Sequence, residues 1–144
     1  MRVFTIGFTK KSAATFFSVL RSSSAKLLID VRLNNSSQLA GFAKKDDLQY
    51  FLREICAMDY LHLPILAPTQ IMLDAFKKEK GDWSIYEHEF LELMKSRGIE
   101  DAITREILSD ACLLCSEEKP DHCHRRLVAE YLGERWSNLE IIHL

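Results

Sequence analysis

Apolar and polar residues run along this chain in short blocks whose period switches back and forth between that of a strand and that of a helix. Arg2 to Phe8 reads as a first strand ending at Gly7. From Ser12 to Arg21, the spacing of Ala13, Phe16, Phe17 and Leu20 puts them on one helical face. Lys26 to Arg32 contains Leu-Leu-Ile-Asp-Val, a continuous apolar run ending in charge, as expected of a strand buried on both faces. Asp47 to Met58 returns to helical spacing through Leu48, Phe51, Leu52 and Ile55. Tyr60 to Leu66 reads as a short strand stopped by Pro64 or Pro68. Thr69 to Gly98 reads as mostly helical with a break near Gly81. Ile99, Ile103 and Ile107 recur four apart, which predicts one helix over Ile99 to Leu108. Ala111 to Cys115 is another buried strand, His122 to Arg135 a helix, and Leu139 to Leu144 a final strand.

Strand–helix–strand alternation of this kind implies parallel strands joined by crossover helices. The expected architecture is a three-layer α/β arrangement, with a mostly parallel sheet of about five strands and helices on both faces. No repeat, low-complexity tract or Pro/Gly-rich linker divides the chain, so residues 1–144 are expected to form a single domain. At 144 residues such a chain can bury a core without metal or disulfide staples.

Open parallel sheets bind ligands beyond the carboxyl ends of their strands. That rule selects Gly7, Phe8 and Thr9; Asp30 and Arg32; His62; Cys115, Ser116 and Glu117; and His143. The richest segment runs from Cys115 to Arg126. Cys115 closes a strand, a polar loop with Pro120 follows, and Cys123 falls in the first turn of the next helix. There the helix dipole and the cations of Arg125 and Arg126 would favour a thiolate or bind an anion. Alternation puts Asp30 and Arg32 on one face of their strand end, a carboxylate able to orient a histidine and a guanidinium able to clamp an anion. The plainer readings are a packed cysteine and a mutual ion pair. Cys56 and Cys112 sit within apolar periodicity and read as core. Trp83, Tyr86 and Phe90 read as packing between helices. The polar stretch Asn34 to Lys45 suits a lid or a phosphate-facing loop, or simply a solvated one.

Composition narrows the partners. The net charge of −2 gives no general coat for nucleic acid, although a local basic patch remains open. No apolar run is long enough to span a bilayer, and the first residues lack the apolar core of a secretory signal, so a cytoplasmic location without membrane association is expected. The four cysteines are then expected to stay reduced. The run from Cys115 to His124 could ligate a metal with His62 or His122. It lacks the paired short spacings of structural zinc sites, so no metal and no other cofactor is expected.

Thr5-Ile-Gly7, Leu28-Ile-Asp30-Val-Arg32, Tyr60-x-His62 and Leu114-Cys115-Ser-Glu117 with Pro120-x-x-Cys123-His124-Arg125 together resemble domain of unknown function 488. The resemblance spans nearly the whole chain, and its last stretch is the most specific. It implies a Rossmann-like α/β fold, a prokaryotic-type cytosolic protein and an active site around the same cysteines, histidine and charged pair. Many members carry a histidine after the first-strand glycine, where this chain has Phe8.

Three functions compete. In an enzyme, Cys123 or Cys115 would be the nucleophile, His124 the proton carrier and Asp30 its orienting partner or a base. Arg32 and Arg125 would hold an anion, with Gly7, Thr9, Glu117 and His62 around it. A phosphorylated small molecule, a nucleotide or a nucleic-acid end would suit that set. A nucleotide or nucleic-acid binding module would use the same basic groups without turnover. A metal-bearing domain would use Cys115, Cys123 and a histidine. Thiol reactivity near neutral pH, anion binding without the thiols, and stoichiometric metal would distinguish them in turn.

Overall fold

A computed structural model describes residues 1–36 and 40–144. Among these residues, five strands form one sheet in the order β3-β2-β4-β1-β5, and every neighbouring pair is parallel. The strands are β1 (Arg2–Gly7), β2 (Leu27–Asp30), β3 (Asp59–His62), β4 (Ala111–Cys115) and β5 (Glu140–His143). The helices are α1 (Ala13–Ser22), α2 (Lys45–Cys56), α3 (Gln70–Lys77), α4 (Trp83–Arg97), α5 (Ile99–Ala102), α6 (Arg105–Leu108) and α7 (His124–Arg135). The three-layer α/β expectation therefore holds. No helix of the described residues is long and apolar enough to cross a membrane.

Alternation along each strand sends side chains to two separate cores. One lies under α1 and α2, where Phe4, Ile6, Leu28, Cys112 and Leu114 meet Phe16, Leu20, Leu48 and Leu52. The other lies under α4 to α7, where Val3, Ile29, Val31, Leu113 and Cys115 meet Phe90, Met94, Leu127 and Leu132. Each fully buried Leu or Phe contributes about 1.5–3 kcal/mol of transfer free energy.

Side-chain caps set several helix starts. Ser12 accepts from the Thr15 N–H, Thr69 from Met72, Asp82 from Ser84 and Thr104 from Ile107. The last of these explains a departure from the periodicity. The single helix expected over Ile99 to Leu108 is two short ones, because Ile103 is extended and Thr104 caps a new start. Ile99 and Ile103 are buried while Ile107 is exposed, so the four-residue spacing did not mark one face. The strand expected from Tyr60 to Leu66 ends at His62 and becomes a 3-10 turn at Pro64–Leu66. The proposed lid over Asn34 to Lys45 includes residues 37–39, which lie outside the described residues. Its later part forms a 3-10 turn at Gly41–Ala43.

Candidate functional site

Strands β1 and β4 lie side by side, yet the chain leaves their carboxyl ends for opposite faces, to α1 from β1 and to α7 from β4. Such a divergence opens a crevice where ligands commonly bind. Here the protein fills it. Arg125 is fully buried and donates from Nη1 to the Glu117 carbonyl at 2.6 Å, from Nη2 to the Glu118 carbonyl at 3.3 Å and from Nε to Thr5 Oγ1 at 3.4 Å. A Cβ at Gly7 would collide with the Glu117 carbonyl and crowd the Arg125 guanidinium. Gly7 thus admits the protein's own loop, where a ligand was expected. Arg125 holds that loop and is no free anion clamp. Arg126 adds bonds to the carbonyls of Pro120 and Asp121. Thr9 is exposed and is tied to the same loop through its N–H to the Ser116 carbonyl.

The open space lies to one side, over β2 and β4 and beneath α3 and α4. A cavity of about 190 Å³ is lined by Arg32, Cys115, Glu117, Cys123 and His124, so five of the expected site residues share one wall. At its floor the side chains of Cys115, Cys123 and His124 each offer one ligand atom, all within 4.8 Å of one another. The imidazole of His124 donates from Nε2 to the Val31 carbonyl at 2.7 Å, since a carbonyl can only accept. That leaves Nδ1 as the unprotonated nitrogen, and Cys115 Sγ lies against the ring, 3.4 Å from Nδ1 and 3.6 Å from Nε2.

The thiol expected to ionise was Cys123, at the start of α7. It is instead the residue before the helix, 2% exposed, and burial pushes its thiol well above the ordinary value, with Cys115 adding to the rise. Cys115 behaves in the opposite way. Burial raises it, but a hydrogen bond from Cys123, the Ser116 N–H and the charges of Arg125 and Lys77 together hold it below the ordinary thiol value. Burial also lowers His124, outweighing the opposing effects of Cys123 and the Val31 bond. Cys112 points into the other core, where burial raises its thiol far above normal.

Asp30 does not join this cluster. It shares a face with Leu28, on the α1/α2 side, whereas Cys115 faces α4 and α7. Both of its oxygens are engaged. Oδ1 accepts from Arg32 Nε at 2.9 Å and Oδ2 accepts from Arg32 Nη2 at 2.7 Å and from Tyr60 Oη at 2.6 Å. Arg32 also donates to the Ala43 carbonyl and lies over the Phe8 ring at 5.3 Å. Its Nη1, although buried, has no hydrogen-bond partner among the described residues. His62 donates from Nε2 to the Arg32 carbonyl at 2.7 Å and so supports that residue from behind. His143 pairs with Thr5 Oγ1 at 2.6 Å, away from the cavity.

Several lining residues carried no mark in the sequence. Lys77 reaches across from α3 to Glu117 at 3.1 Å, and Phe76 joins it in the wall. Trp83 and Tyr86 of α4 pack against Phe76 of α3, with centroids 5.4 and 5.1 Å away, as expected of packing between helices, and they also face the cavity. Trp83 stacks on His122 at 4.9 Å as well. Tyr60, quoted above only as part of a motif, is the donor that completes Asp30. A buried acceptor lacking one partner would have been the signal, but that is visible only once β2 and β3 are paired.

Comparison with known proteins adds one match. No curated protein and no solved structure matches the chain. A family model described as "Domain of unknown function DUF488" matches residues 12–132, and with them every element from α1 into α7 and the whole cysteine–histidine cluster. The chain belongs to the DUF488 family.

Proposed function

We propose that the protein is a thiol-dependent enzyme acting on a small anionic molecule, with Cys115 as nucleophile and His124 as proton carrier. The observation that carries this reading is the approach of Cys115 Sγ to the His124 ring, 3.4 Å from Nδ1 and 3.6 Å from Nε2, in an imidazole held by the Val31 carbonyl and lining a cavity. The Cys115 thiol gives its proton to Nδ1, and the sulfur forms a bond to an electrophilic centre of the substrate. The leaving group departs with the proton from Nδ1. Water then cleaves the thio-intermediate, and its proton restores the thiol. Cys123 donates to the Cys115 sulfur and stabilises the thiolate. Asp30 acts as a positioning residue through Arg32, since both its oxygens are engaged.

The anionic character of the substrate rests on Lys77, which lines the cavity. Lys77 is held only by a half-exposed ion pair, from which an anion could draw it. The rings of Phe76, Trp83 and Tyr86 suit an apolar portion of the same molecule.

Iodoacetamide labelling at pH 7, read cysteine by cysteine by mass spectrometry, tests the reading. Cys115 is expected to react first among the four, and inorganic phosphate is expected to slow it. Labelling of Cys115 no faster than that of Cys112, or only after unfolding, would overturn the assignment.

A further inference from the structure

The spacing Cys115-x7-Cys123-His124 argues against a metal when read along the chain. The fold reverses that argument. We propose that Cys115, Cys123 and His124 bind one divalent cation of the zinc class, with a fourth coordination position facing the cavity. This inference uses the residues of the thiol reading but does not depend on its being correct.

Three observations support it. Tetrahedral zinc, with bonds of about 2.3 Å to sulfur and about 2.0 Å to nitrogen, separates a bound sulfur and nitrogen by about 3.5 Å. Cys115, Cys123 and His124 already bring one ligand atom each within 4.8 Å of one another, and a turn of the His124 ring, whose Nδ1 and Nε2 stand 3.4 and 3.6 Å from Cys115 Sγ, would aim Nδ1 at a metal shared with that sulfur. Second, the outer nitrogen of His124 donates to the Val31 carbonyl, which fixes the tautomer that presents a lone pair at Nδ1. Metal-ligating histidines are commonly held in this way. Third, charge balances. Two thiolates and one divalent cation sum to zero, so a buried cluster of three side chains gains no net charge. On binding, each thiol releases its proton to solvent, and both sulfurs become ligands. Three protein ligands with an open side form an incomplete shell, whose last position water or a substrate atom would take.

The cation also has a bearing on the thiol reading. A sulfur bonded to metal is a poorer nucleophile than a free thiolate, so metal and alkylating agent compete for Cys115. The full-length protein, purified with reductant and chelator and then freed of both, is titrated with Co²⁺ as a coloured stand-in. Sulfur-to-cobalt charge-transfer absorption is expected to saturate at one equivalent and to be abolished by Zn²⁺. It should be retained in Cys56→Ser and lost in both Cys115→Ser and Cys123→Ser, with circular dichroism confirming that each variant is folded. Should a variant not fold, protection provides the second measurement. Zn²⁺ at 100-fold over its Kd should slow iodoacetamide labelling of Cys115 in the unaltered protein about a hundredfold. Absence of the thiolate absorption together with absence of protection overturns the metal site, and so does an undiminished band in a folded Cys115→Ser, Cys123→Ser double variant. Rapid labelling of metal-free Cys115 without metal binding would sink this inference alone. Metal binding without rapid labelling would sink only the thiol reading.

Discussion

Asp30 shows how a buried charge can be spent wholly on its neighbours. Its two oxygens accept from the Arg32 side chain and the Tyr60 hydroxyl, so the carboxylate works to hold a guanidinium in place. Removing it leaves Arg32 buried at 3% exposure with its charge uncompensated. Such a loss typically costs about 3–5 kcal/mol. Asp30→Ala is therefore expected to lower stability by that amount in urea unfolding. A loss of less than about 1 kcal/mol, the range of an exposed pair, would mean that Arg32 finds water or another acceptor. Phe8 belongs to the same neighbourhood. Where the resemblance noted above implies a histidine, this chain places a ring against the Arg32 guanidinium, on the α1/α2 side of the sheet. A histidine there would lie beside Asp30 and Arg32, with Cys115 and His124 on the sheet's other side.

At the scale of elements, α7 carries both the chemistry at its start and a weakness near its end. Gly133 sits in the last turns of the helix, and a Cβ there would meet only Leu139 and Ile141, at ordinary contact distances of 3.6 and 3.8 Å. Its φ is not in the left-handed region. Gly133→Ala should raise stability by about 0.5–1 kcal/mol, since alanine loses less backbone entropy in a helix and adds packing. An unchanged or lower denaturation midpoint would show that the contacts are tighter than these distances imply. The elements themselves were readable from the chain because period-2 and period-3.6 patterns report burial directly. All five strands were recognisable that way, as was the break at Gly81. The relation between strands was not readable. Asp30 and Arg32 meet at the carboxyl end of β2, and Cys115 closes β4, but whether those side chains share a face depends on register, which pairs Asp30 with Leu114. The surroundings of Arg125 were not readable for a similar reason. Its residue type suggests an anion clamp, and only the approach of the Glu117 carbonyl at Gly7 shows what its nitrogens bind.

For the whole molecule, the sheet separates two bodies of packing that share a backbone and few side-chain neighbours. The cavity and its cluster lie in the core beneath α4 and α7, while Phe16, Leu20, Leu48 and Leu52 fill the other. Leu20→Ala, at a fully buried position on the side away from the cavity, is expected to cost about 2–5 kcal/mol in chemical denaturation. The labelling rate of Cys115 in the folded protein should stay unchanged, because effects at well-separated sites add independently. A parallel change in that rate would show that strain passes through the sheet. This division has a bearing on how such a protein diverges. Lineages adapting to heat or cold can adjust the α1/α2 side with little effect on the cavity, while lineages whose cavity takes up a new ligand would accumulate their changes in α3 and α4. Among relatives aligned on β4, the two kinds of divergence should therefore appear as two separate sets of variable positions, one on each side of the sheet.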